Sequence, residues 1–265
     1  MKGQMRELLS HPTKDEFTQG SIFEGLTINS DSLYTNGMII TARCDIANGK
    51  ARNILCLPIY KASDWLNSQG DEIIYRRVES KLLNKIEMEL KKFNLSSELI
   101  SIYPIENIIA IIDEDKKVHH KEDIKKMLYM YKSKNCDHTL DFVNKERKNL
   151  VSEIIRNTET STYFIEQIDV DNVLEPYVID LAEPISIPFE VAKRLLSGIK
   201  KERNSDDYVS QYLTLYKDEI SYISLLKSPY IEHVLQKFSS YYSRIGTDDI
   251  SKEAETILKE QLNEM

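Results

Sequence analysis

The chain has 265 residues, 41% hydrophobic and 29% charged, with net charge −8 and a pI near 5.3. This is the composition of a soluble chain able to bury a core, and the acidic balance argues against broad binding to a phosphate backbone. Cys44, Cys56 and Cys136 form no CxxC pair, which argues against a zinc site and fits reduced thiols in a cytosol.

The start, MKGQMRELLSH, lacks an apolar signal core. No apolar run approaches the length of a membrane span, so the chain reads as cytoplasmic. FTQGSIFEGL (17–26) reads as a short strand. NGMIITARCDI (36–46) opens on a turn signal and continues as a β-rich run, the pattern of a strand buried on both faces. ANGK (47–50) is expected to form a type I′ hairpin turn. ARNILCLPIY (51–60) is its partner strand, limited at its end by Pro58.

The periodicity then changes. Residues 61–69 suggest a helical turn around Trp65. From Glu72 to Phe93, Ile74, Val78, Leu82, Ile86 and Leu90 recur every four residues, one helical stripe with charges on the other faces. The segment 97–115 is ambiguous between strand and helix, while 118–134 and 140–158 read as helices. Strand character returns at 161–170 and at 175–188, the latter broken by Pro184. Residues 188–202 open on Pro188 and read as a helix; 218–226 fits strand or helix. SPYIEHVLQKFSSYYSRIG (228–246) reads as a helix with Ser228 as N-cap, Pro229 in its first turn and Gly246 closing it. A polar helix is expected over 249–265.

Three strands cannot bury a face alone. The expectation is therefore an α+β protein built on one small SH3-like β-barrel from residues 12–60 and 160–188. A helical insertion (61–159) separates the two strand groups, and a helical C-terminal part (189–265) packs on the barrel.

Three patches, TQGSIF (18–23), IITARCDIANGKARNILCLPI (39–59) and SPYIEHVLQKFSSYYSRIG (228–246), resemble a family of uncharacterised bacterial proteins with no assigned activity. That resemblance implies a setting in mobile or antiviral defence islands. The first strands are also similar to the SH3-like barrel of MazF/PemK-type endoribonuclease toxins of toxin–antitoxin pairs. Those toxins begin Gly-Asp and carry an Arg-Pro pair ahead of the next strand. Here the start is Gly20-Ser21, no Arg-Pro precedes Met38, and Arg43 lies at the other end of that strand. The toxin chemistry is not carried over residue by residue.

Arg43, Cys44 and Asp45 are the candidate catalytic cluster. A cation beside a cysteine favours the thiolate that attacks. Strand neighbours point to opposite faces, however, and no local base is present. The alternative is architectural: Cys44 packs as a small buried residue, and Asp45 caps the following turn and pairs with Lys50 or Arg244. Tyr230 belongs to the same distinctive C-terminal patch. His119-His120 lack the i, i+4 spacing of a helical metal pair, and His138 and His233 are isolated. Tyr208, Tyr212, Tyr216 and Tyr222 lie near Lys217, with Asp206, Asp207, Asp218 and Glu219 adjacent. That mixture favours a protein interface over base stacking.

No cofactor or metal motif is present, and the oligomeric state is not encoded in any pattern. The leading expectation is a non-enzymatic binding or regulatory component that contacts another protein. A toxin-like endoribonuclease or other hydrolase using residues 43–45 is the first alternative. An RNA-binding barrel is the second.

Overall fold

The computed structural model describes residues 6–28, 34–114, 121–171, 175–201 and 207–243, with four more at 256–257 and 260–261. The chain is an α+β protein. In chain order it forms β1 (Leu9–Ser10), β2 (Ser21–Thr27), β3 (Tyr34–Ile39), α1 (Arg43–Ala47) and β4 (Asn53–Lys61). A helical run follows: α2 (Ala62–Leu66), α3 (Gln69–Lys92), α4 (Leu99–Ile102), α5 (Ile105–Glu114), α6 (Glu122–Ser133) and α7 (Asp141–Ile155). Then come β5 (Thr162–Ile165), β6 (Tyr177–Asp180), β7 (Ile185–Pro188), α8 (Phe189–Arg194), β8 (Ile199–Lys200) and α9 (Asp207–Ser210). The last elements are β9 (Glu219–Ile220), β10 (Tyr222–Leu226) and α10 (Tyr230–Tyr242).

One antiparallel sheet of eight strands runs in the order β1-β10-β2-β3-β4-β6-β5, and β7 also pairs with β4. Nine-residue β4 serves two partners along one edge: Asn53 to Cys56 face β7, and Ile59 to Lys61 face β6. The early and late strand groups therefore do join in one sheet, across the helical segment between them.

The expected barrel does not close among the described residues. β1 and β5 end the sheet without pairing to each other. The sheet curls instead, until its ends meet through side chains. Arg6, just before β1, bonds both carboxylate oxygens of Glu166, just after β5, at 2.8 and 2.7 Å. The inside of the curl is apolar: Leu9, Ile22, Met38, Leu57, Ile165 and Ile179 form one buried cluster, covered by Ile231 and Val234 of α10. Strand alternation sends Phe23, Ile39 and Cys56 to the other face, against Val191, Ala192 and Leu195. Farther along that outer face, Val178 and Trp65 dock the helices, whose core includes the predicted stripe Ile74, Val78, Leu82, Ile86 and Leu90.

Several local expectations change. The ambiguous 97–115 segment is helical in α4 and α5, because Ile105, Ile108, Ile109 and Ile112 line one buried face. The helix expected over 188–202 stops early: after α8 and a single 3-10 turn, Gly198 at φ 71° redirects the chain into β8. The 218–226 segment supplies two strands, β9 and β10. Ser228 makes no capping bond; Pro229 precedes α10, and the Ser228–Pro229 peptide is cis. Most of the tail helix expected over 249–265, with Arg244 and Gly246, lies outside the described residues, as do His119 and His120.

Candidate functional site

The sequence directs attention first to Arg43, Cys44 and Asp45. The structure replaces the expected strand there with α1, a five-residue helix. Its end explains the misreading. Gly49 at φ 62° donates to Ile46 O at 3.1 Å, and Lys50 N–H donates to Asp45 O at 2.9 Å. That is the paired closure of a helix C-terminus by a left-handed glycine. An Asn-Gly pair serves this closure as well as it serves a hairpin, since both need a residue at positive φ.

Cys44 is exposed, against the buried packing expected of it. Its Sγ–H donates to Asp45 Oδ1 at 3.7 Å. Arg43 is drawn away, lying 4.0 Å from Glu232 of α10, with both side chains more than half exposed. Asp45 forms no ion pair with Lys50, and the loop amides of Lys50 and Ala51 bond its backbone carbonyl, not its carboxylate. The C-terminal helix thus reaches this corner through Arg43. Tyr230 lies at the other side of α10's first turn, packed against the inner cluster with Arg6 over its ring at 5.4 Å.

A concavity lies at the opposite end of the β3–β4 pair. It is a cleft of about 800 Å³. Inside the curl, strand rows that are apolar in the core end in polar residues at this mouth. Ile22 gives way to Glu24, Met38 to Asn36, Ile59 to Lys61 and Ile179 to Tyr177, each two residues along. Tyr34, Tyr60 and Tyr216 line the walls, with Asp64, Asp169, Glu175 and Glu183. Among the described residues the charged lining is therefore five carboxylates and one lysine, Lys61.

Two local devices assemble this mouth. In β2 the register shifts between Phe23 and Leu26, so that Glu24 and Gly25 bulge opposite β3. Gly25, at φ 78°, accepts a hydrogen bond from Thr214 N–H at 2.7 Å, and a Cβ there would meet Thr214 O at 2.7 Å. Only glycine lets the 213–217 segment lie so close. That segment carries Tyr216, whose hydroxyl donates to Glu24 Oε1 at 3.0 Å, and Lys217, whose amine lies 2.6 Å from the same oxygen. Tyr216 also stacks on Tyr34, with centroids 4.4 Å apart and planes 9° apart.

Register builds the second device. Lys61 pairs with Tyr177 across β4 and β6. Glu175, two residues earlier, then meets both: Lys61 Nζ at 2.7 Å, and the Tyr177 hydroxyl, which donates at 2.6 Å. The bonds from Lys61 and Tyr177 hold the Glu175 carboxyl below its ordinary range. Burial, and then the facing carboxylates, push the Tyr177 and Tyr216 hydroxyls up. Tyr60 is raised by burial and then by Asp180, and its hydroxyl is buried with Gln69 beside it.

Behind the wall sits Asp180, 4% exposed. Trp65 Nε1–H donates to it at 3.0 Å and Ala182 N–H at 2.8 Å. Burial still raises its pKa above the ordinary value. A second cluster fixes the α2–α3 turn that supplies Ser68 and Gln69 to the cleft. Arg147 donates to Asn67 Oδ1 at 2.7 Å and to His138 Nε2 at 2.8 Å, and His138 lies 2.9 Å from Asp71. Cys136 donates to the Asp71 carbonyl at 3.4 Å, and burial pushes its thiol up to about 12. This cluster braces the wall and does not line the cleft.

None of residues 43–45 lines the cleft. Of the residues singled out in the sequence, Tyr216 lines it and Lys217 meets its Glu24; Glu24, Lys61 and Glu175 were missed. The signal available was the polar residue terminating each apolar alternation, as in ILCLPIYK and EPYVID. Among the described residues, no group of three His, Cys, Asp or Glu side chains is placed to hold a metal ion. No described helix is long and apolar enough to cross a membrane. No family model, curated protein or solved structure matches the chain.

Proposed function

We propose that the chain is a non-enzymatic binding component, cytoplasmic, that acts through protein contacts, and that its cleft receives a lysine- or arginine-bearing segment of the partner. One observation carries this reading: among the described residues, five carboxylates and four tyrosines from distant segments converge on one cleft whose only lining cation is Lys61. Such a surface attracts cations and repels phosphate, which weighs against the RNA-binding alternative. Tyrosines supply flat contact area at low entropic cost, and their faces favour ammonium and guanidinium groups. In this reading the scaffold is an SH3-like barrel opened between β1 and β5, a view supported by the curl and the Arg6–Glu166 contact. The setting implied by the sequence resemblance, a bacterial defence or mobile-element system, belongs to the same proposal.

The test is affinity purification from the native host at low salt, with the wild type and with a Glu24→Gln, Glu175→Gln double variant. A partner held by the wild type, lost from the double variant and retained by Arg43→Ala supports cleft binding. RNA cleavage by the purified wild type that Arg43→Ala abolishes overturns it in favour of the toxin-like alternative.

A further inference from the structure

Two carboxylates at the mouth are already occupied by the chain's own lysines. Glu24 is only 13% exposed and meets Lys217 at 2.6 Å; Glu175 meets Lys61 at 2.7 Å. The lysines are about half exposed, Lys217 46% and Lys61 52%, and Glu175 is itself 46% exposed. Each carboxylate has a second tie in a tyrosine hydroxyl, Tyr216 on the same oxygen of Glu24 and Tyr177 on the other oxygen of Glu175. Each anion thus keeps a tyrosine partner when its lysine leaves.

The geometry points to Lys61 and Lys217 as internal stand-ins for two basic side chains of the ligand. This rests on the cleft reading above and makes it specific: the occupant is dibasic, and each of its cations takes over a carboxylate by displacing the resident lysine. Three observations argue for exchange. A carboxylate as enclosed as Glu24 needs a cation in the free protein, because an unpaired charge held from water is unfavourable. An exposed lysine contributes little to its pair and finds water at once when released. The cleft between the two pairs is wide enough, at about 800 Å³, for side chains to enter beside them.

The test uses the full chain and acetyl-Lys-Glyₙ-Lys-amide peptides with one to four glycines, measured by calorimetry at low salt. The variants are Lys61→Met, Lys217→Met and, as control, Lys91→Met, whose exposed pair with Glu87 lies on α3 away from the cleft. Each cleft lysine variant should bind the best-spaced peptide about two- to fivefold tighter, and the control should bind as wild type. A peptide with one lysine should gain less. Thermal melts establish that each variant folds, and Lys217→Gln replaces Lys217→Met should the latter melt early. Equal gains in all three variants mean long-range charge alone and overturn the exchange. Binding weakened by Glu24→Gln and Glu175→Gln but unchanged by the lysine variants also overturns it, while leaving the cleft as the site. No binding to any form overturns both.

Discussion

At one end of the β3–β4 pair, Arg43, Cys44 and Asp45 are adjacent in the chain, yet Arg43 leaves toward α10 and the thiol lies open to solvent. At the other end, residues from separate segments meet in two clusters on one cleft, Glu24 with Tyr216 and Lys217, and Glu175 with Lys61 and Tyr177. Adjacency in sequence spreads side chains round a helical turn or across a strand. Register and bulges gather them. The mouth is also tied to the core, since its polar residues continue the buried rows of the sheet, whereas of the five residues of α1 only Ile46 is buried.

The largest expected difference between the two ends comes from their glycines. Gly25→Ala should destabilise by about 3 kcal/mol, combining left-handed strain with overpacking. Its Cβ would press on Thr214 O at 2.7 Å and on Ile220 Cδ1 at 2.9 Å. For a chain of this size, that is a fall in Tm of roughly 6–12 °C. Gly49→Ala at the corner shares the positive φ, but a Cβ there meets nothing within 4 Å. It should cost about 1 kcal/mol. Equal losses in thermal denaturation would break the claim that the mouth is the more firmly built end.

Acid should act behind the mouth, and with two signs. Burial raises Asp180 from the ordinary 3.8, so its contribution is fully present below that value and is lost as pH rises through the folded pKa. Asp180→Asn imitates the protonated acid. The wild type should therefore gain stability relative to this variant as pH falls from neutral toward about 4, read by denaturant titration at each pH. Glu175 runs the other way: its lowered carboxyl gives a contribution present above the ordinary 4.5 and lost as pH falls through the folded value. Lys61→Met should move that carboxyl back up, as followed by NMR. A Glu175 titration indifferent to Lys61 would uncouple the pair on which the mouth is built.

The sequence revealed much of the frame. Helical periodicity located α3 because its apolar stripe is strict, and β-rich runs located β2, β4, β5 and β6. The joining of the early and late strands followed from the need to bury their faces. What was hidden had physical reasons. Asn48-Gly49 satisfies a helix end and a hairpin equally, so α1 was read as strand. Curl without closure depends on Arg6 and Glu166, 160 residues apart. The cleft was illegible because no two of Glu24, Lys61 and Glu175 are near in the chain; only the sheet register brings Lys61 opposite Tyr177.

The smallest effects belong to the corner. Iodoacetamide at neutral pH should label Cys44 in the native protein and spare Cys56, which is fully buried with its thiol pushed up by desolvation. Labelling of Cys56 first would mean that the outer face of the sheet opens more readily than the corner. Arg43→Ala should be smaller still. Its contact with Glu232 is 4.0 Å long and both side chains are more than half exposed, conditions under which an ion pair contributes about 0–0.5 kcal/mol. Tm should stay within about 1–2 °C of wild type, and added salt should not change the difference. A substantial loss would mean that Arg43 ties α1 to α10 as a structural clasp, and that the two ends of the hairpin are more alike than their geometry implies.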